Sequence, residues 1–158
     1  MRLVFLVVIA VFMTVPAFAQ DKPSAKDAAA IQRCIKVKTG RNWDWENCIG
    51  IISKPCSKDE AAMPSHEVIA CERREQAVWD NILNETFRSL LGKLDEVQQQ
   101  KLREMQRAWI ASRDKSCAFF YDYFEGSMAN PMIAACEARE TGRRALFLLG
   151  FLNDAEGK

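Results

Sequence analysis

Residues 106–117, Q-R-A-W-I-A-S-R-D-K-S-C, hold the side chains best suited to chemistry. On a helix, Trp109, Arg113 and Cys117 follow one another at intervals of four and share one stripe. A guanidinium beside an indole can clamp a carboxylate or another anion. If it is buried instead, it needs a carboxylate from a neighbouring helix, because an unpaired charge in an apolar seam is costly. Glu75 and Asp80 are the candidate partners of Arg113, and Arg144 is a second cation able to reach the same network. The expectation is therefore a structural network of Glu75, Trp79, Asp80, Trp109, Arg113 and Arg144, with both tryptophans acting as core anchors.

Residues for catalysis are sparse. A Ser-His-Asp arrangement would have to use the sole histidine, His66, which opens a helix beside a polar loop. Asp59 and Glu60 are adjacent loop acids, whereas glycoside chemistry needs two carboxylates held apart across a cleft. There is no glycine-rich phosphate loop, no C-x-x-C pair and no cluster with metal-ligand spacing. These absences argue against an enzyme and against a cofactor or metal.

The chain begins with Arg2, an apolar run from Leu3 to Val15, and Ala17-Phe18-Ala19. That order reads as a secretory signal peptide over residues 1–19, too short for a membrane anchor. Its removal from 158 residues leaves a single domain over residues 20–158. With Arg2 gone from the 22 basic residues, 21 remain against 21 acidic ones. A balanced charge offers no footprint for nucleic acid. The expected location is periplasmic or secreted, with no membrane anchor in the mature form.

All six cysteines lie in the mature region, and an even count in an exported chain implies disulfides. Apolar spacing of three and four predicts the elements that carry them. A first helix is capped by Ser24 with Asp27 and ends before Gly40, and a short second one covers about 44–53, ended by Pro55. After a polar loop over 57–65, a third helix runs from His66 to about Leu91, closed by Gly92. A fourth, opened by Asp95 with Gln98, runs over 96–123 to Gly126. Asn130 as cap and Pro131 as first residue open a fifth, reaching about Leu152. The fold class is all-α: a small disulfide-stapled bundle of about five helices with a long antiparallel helical hairpin. Each of Cys117 and Cys136 lies within nine residues of the hairpin turn, close enough to bridge. The pairing of Cys34, Cys48, Cys56 and Cys71 stays open. Sequential pairs would staple successive hairpins, and Cys48–Cys56 with Cys34–Cys71 is the alternative if the chain breaks at Pro55.

Cys71, Glu75 and Trp79-Asp80-Asn81-Ile82-Leu83-Asn84, with Phe87 and Leu90, resemble the segment E-x-x-x-x-D-x-x-L-N-x-x-Y-x-x-L of the LprI-type lysozyme-inhibitor family. Residues 106–117 are similar to its Q-x-x-W-x-x-x-R-D-x-x-C signature, and Gly126-Ser127, Cys136 and Thr141-x-x-Arg144 match its closing elements. The resemblance covers about residues 71–152 and departs where Phe87 replaces tyrosine. It implies a secreted or periplasmic helical domain with a protein partner, lysozyme.

A binding protein that occludes a muramidase needs a rigid protruding loop, and disulfide-framed helices supply one at little ordering cost. Two loops qualify. Residues 57–65 bring Asp59 and Glu60 toward a basic partner, and residues 126–130 place Gly126 and Ser127 beside the expected Cys117–Cys136 bridge. The alternative is a general cell-envelope interaction module with no inhibitory activity.

Overall fold

The structure, a computed structural model, describes residues 22–38, 44–59 and 62–157. The expected leader over 1–19, Gly40 and the candidate binding residue Glu60 lie outside the described residues. Five α-helices follow in order: α1 (Ala25–Lys38), α2 (Ser53–Cys56), α3 (Ser65–Leu91), α4 (Glu96–Phe124) and α5 (Ala129–Glu156), with a 3-10 turn at Asp44–Cys48 before α2. No strand occurs among the described residues, so the all-α expectation holds.

Helix starts follow local chemistry closely. Ser24 donates from N and Oγ to the Asp27 carboxylate at 2.7 and 2.8 Å, and the Asp27 amide donates back to Ser24 Oγ at 3.2 Å. This satisfies donors that the first helical turn leaves unpaired. At α4 the Gln98 amide donates to Asp95 Oδ1 at 2.8 Å while the Asp95 amide donates to Gln98 Oε1 at 3.1 Å. Both capping boxes form from the residues that signal them in sequence.

Several boundaries differ from expectation. The expected second helix breaks at Gly50, whose φ of +91° suits glycine, and α2 starts only at Ser53. Pro55 lies inside α2 rather than ending it, because the first helical turn has no intrahelical partner for the amide that proline lacks. Helix α3 starts at Ser65 after Pro64, and its closing residue Gly92 keeps a helical φ of −69°. Glu125, in the left-handed region at φ 46°, ends α4 ahead of Gly126. Helix α5 starts at Ala129, so Asn130 is its second residue and Pro131 its third. Again the missing amide falls where none is needed.

Helix α5 is the middle layer. It packs along α3 over most of its length and along α4, while α3 and α4 have little direct contact. Gly142 of α5 lies against Trp79 of α3, within a run that includes the small residues Ala138, Thr141 and Ala145, all buried. Gly142 admits the fully buried indole of Trp79. A Cβ at Gly142 would stand 3.1 Å from Ile49 Cγ1 and 3.2 Å from Trp79 Cε2. By contrast α4 buries only Leu102 and Cys117, so most of its surface stays open.

The six cysteines form Cys34–Cys48, Cys56–Cys71 and Cys117–Cys136, with Cα separations of 5.7, 5.7 and 5.6 Å. The N-terminal four thus pair sequentially. The first bridge ties α1 to the 3-10 turn, the second α2 to α3, and the third α4 to α5. Three contacts, Cys117 with Cys136, Arg113 with Thr141 and Gln106 with Arg144, run in opposite directions along α4 and α5, as an antiparallel hairpin requires.

Helix α1 is held to α3 by an ion pair. Arg74 donates from Nε at 2.9 Å and Nη2 at 2.6 Å to the two oxygens of Asp27. These hydrogen bonds hold the Asp27 carboxyl far below the ordinary carboxylate range. A folded pKa below the unfolded one gives stability that is fully present above about pH 4 and is lost as pH falls below it. Asp27→Asn is expected to cost about 1–3 kcal/mol near neutrality and to flatten this acid limb. Denaturant melts from pH 7 down to pH 2 on both proteins check it.

Candidate functional site

Glu75 is 1% exposed, and none of the ion pairs among the described residues involves it. Its Oε2 accepts from the amides of Ile52 at 2.9 Å and Ser53 at 2.8 Å. Oε1 accepts from the Gly50 amide and from Trp79 Nε1, the latter at 3.0 Å. Four N–H donors thus take the place of a salt bridge. The left-handed turn at Gly50 presents the amides inward, and the spacing of four along α3 brings the indole N–H to the same carboxylate. The expected pairing of Arg113 with Glu75 or Asp80 is corrected by this arrangement. Glu75 is filled by donors from the loop before α2, and Asp80 is exposed and accepts from Asn84 Nδ2 at 3.0 Å.

Arg113 and Arg144 meet elsewhere, on the α4–α5 seam. The Arg113 guanidinium lies 5.0 Å from the centre of the Trp109 ring, and that of Arg144 lies 5.5 Å from it and 5.2 Å from the Phe147 ring. Arg113 donates from Nε and Nη2 to Oδ1 of Asp114, at 2.9 and 2.8 Å, and from Nη1 to Thr141 Oγ1 at 3.3 Å. Arg144 donates from Nε to Gln106 Oε1 at 2.9 Å. Burial without a counter-charge pushes the Arg144 pKa below its usual value. The six residues of the expected network are therefore split. Glu75 and Trp79 form a latch between α3 and the α2 loop; Trp109, Arg113 and Arg144 form a cation–π cluster; Asp80 belongs to neither.

Of the two candidate loops, the first contains a turn in which the Asp59 carbonyl accepts from the amides of Ala62 and Met63, both at 2.9 Å. The Asp59 side chain is exposed. Gly126 and Ser127 are exposed at the tip of the α4–α5 hairpin, just beyond Cys117–Cys136.

Around that tip lies a feature the reading of loops overlooked. Phe119, Tyr121, Tyr123 and Met128 are each more than half exposed, with Tyr123 at 69%, and Phe124 is 39% exposed. Four rings of this region are in contact: Tyr123 meets Phe124 edge to face at 4.9 Å, Phe119 lies 6.2 Å from Tyr123, and Phe120 stacks with Phe124 at 6.1 Å. The signal was present in Phe119-Phe120-Tyr121-Asp122-Tyr123-Phe124, where aromatic residues occupy more sides of a helix than one neighbour can cover. A reading that follows only spacings of three and four passes over Phe119 and Tyr123. A contiguous exposed apolar patch of this kind marks an interaction surface.

Among the described residues no group of three or more His, Cys, Asp or Glu could hold a metal ion, and no helix is long and apolar enough to cross a membrane. A family model described as Lysozyme inhibitor LprI matches residues 56–148. The match takes in Glu75 and Trp79 but not the loop amides that meet Glu75, and it covers the cation–π seam, the aromatic tip and two of the three disulfides. No curated protein and no solved structure matches the chain.

The latch makes a direct prediction. Glu75→Gln keeps the length of the side chain but replaces one acceptor oxygen by a donor, leaving amides of the α2 loop unpaired. A loss of about 2–4 kcal/mol is expected, and more for Glu75→Ala. Faster amide hydrogen exchange at Ile52 and Ser53 should accompany it, ahead of exchange in α4.

Proposed function

Since the chain belongs to the LprI lysozyme-inhibitor family, we propose that it is an exported binding protein that occludes a lysozyme-type muramidase with the tip of its α4–α5 hairpin. It acts by contact alone, with no catalytic step of its own. The observation that carries this reading is the solvent-facing cluster of Phe119, Tyr121, Tyr123, Phe124 and Met128 on a disulfide-braced support. Aromatic side chains dominate binding energy at protein interfaces, and they lose little entropy when their backbone is already fixed. Asp122 and Glu125 are exposed among them and give the tip an acidic rim suited to a basic enzyme. Muramidases work with two carboxylates across a cleft, and a narrow helical tip is a shape that can enter one. In this reading the loop of Asp59 and Glu60 is an ordinary connection.

The exposed Phe147 and Phe151 pair, whose rings meet at 5.1 Å on α5, favours a second reading as a general envelope interaction module. That module would bind another exported protein and leave muramidase turnover unchanged.

Both readings require export with removal of residues 1–19, leaving one domain over 20–158. The mass of the protein recovered from the periplasm or medium should correspond to a chain starting at Gln20. The purified mature protein should slow the turnover of a basic muramidase on cell-wall substrate. Replacing Tyr121 and Tyr123 together by Ser should weaken inhibition by about thirtyfold or more while leaving the melting temperature within a few degrees. Unchanged turnover at large molar excess removes the inhibitor reading for that enzyme. Retained inhibition by the double variant removes the tip.

A further inference from the structure

We propose that the α4–α5 seam at Trp109 is a binding site for a carboxylate group, held by the guanidinium groups of Arg113 and Arg144. The site is distinct from the aromatic tip and does not depend on the muramidase reading.

Arg144 is nine-tenths buried, yet among the described residues no carboxylate pairs with it. Gln106 takes one N–H, and the rings of Trp109 and Phe147 cover the guanidinium. Nη2 is sealed from solvent and has no hydrogen-bond partner. A buried cation in this state is incompletely compensated, because ring faces and one amide oxygen offset only part of the lost hydration. Arg113 stands on the same indole and adds a second positive charge. Among the described residues its one carboxylate partner is that of the next residue, Asp114, whose side chain is 55% exposed. One oxygen of Asp114, Oδ1, serves both Nε and Nη2 of Arg113.

Both guanidinium groups thus lie within 5.5 Å of the Trp109 ring centre, and among the described residues the exposed Asp114 is the one acid paired with either. A planar carboxylate matches a guanidinium edge through two parallel hydrogen bonds. An incoming carboxylate displaces Asp114 from Arg113 and reaches Arg144 when Phe147, about half exposed and stacked on the guanidinium, swings aside. Such a group can be carried by a peptide or by an acidic sugar, and both present the same chemistry to the seam.

The test uses the intact mature protein and the indole N–H resonance of Trp109, assigned with Trp109→Phe. Sodium acetate is titrated at fixed pH and ionic strength against sodium chloride. N-acetylglycine and glucuronate serve as the peptide and sugar carboxylates. A saturable shift with acetate but not chloride is expected, and the probe that saturates at lower concentration identifies the source. Asp114→Asn, at an exposed position, should tighten acetate binding about threefold or more by removing the internal competitor. Arg113→Gln should weaken it at least about tenfold, with thermal melting confirming that the variant is folded. Equal shifts with acetate and chloride overturn the site. So does an acetate affinity that Asp114→Asn leaves unchanged.

Discussion

The Glu75 carboxylate is the constraint on which the rest of the molecule depends. It lies fully inside the protein, where an ionised acid without partners would cost several kcal/mol. Three loop amides and the Trp79 indole meet that cost together, and each donor is fixed by the others. The loop must turn left-handed at Gly50 to bring its amides round, which ends the 3-10 turn and restarts the chain as α2. Once α2 is set, Cys56 lies against Cys71, one helical turn before Glu75 on α3. The same hydrogen bond orients the indole toward Gly142, where a Cβ would press against both it and Ile49. The α3–α5 contact is therefore specified by a polar group, although apolar burial supplies most of the driving force.

That arrangement leaves α4 in an unusual position for a helix of a small domain. With α5 committed to α3 along its small-residue side, α4 packs mainly on α5, and two of its 29 residues are buried. Apolar contact is too limited to hold such a helix straight along its partner. Cys117–Cys136, the Arg113–Thr141 bond and the Gln106–Arg144 bond act in its place, spaced along the hairpin. Trp109, flanked by two guanidinium groups, contributes partly buried apolar area between these links. A long charged side chain covers an aromatic face well, so the seam can be closed without a large core.

How much of this was legible in the sequence follows from how local each signal is. The capping boxes at Ser24 and Asp95 are encoded within four residues, and both form. Helical spacing located α3, α4 and α5 to within a few residues, and the short turn after Phe124 set the hairpin and brought Cys117 and Cys136 together. Helical spacing and the need to pair buried charge suggested Trp109, Arg113 and Arg144 as neighbours, and they do meet. What failed was partner identity. Arg113 was matched to Glu75 by charge, but charge alone cannot tell that 22 to 25 residues upstream three amides are turned toward that same acid. Backbone donors carry no side-chain signature. Pro55 misled for a related reason: its effect depends on its position within a helix, and the position was set by the distant Glu75.

The aromatic tip shows the opposite limit. Phe119, Tyr121 and Tyr123 have the composition of a core, and spacing rules give no means of knowing that α4 has one main packing partner instead of two. Their exposure has a consequence for how the protein can change. Residues beyond Cys117–Cys136 contribute little to the buried core, so the tip can vary in shape and charge without loosening the latch at Glu75 or the seam at Trp109. The seam has no such freedom, since its cations hold α4 to α5 whether or not they also take a ligand. Recognition at the tip is thus separable from stability, whereas any recognition at the seam is coupled to it. A carboxylate bound between Arg113 and Arg144 would neutralise the charge that α4 and α5 now hold between them, and so tighten the hairpin that carries the tip.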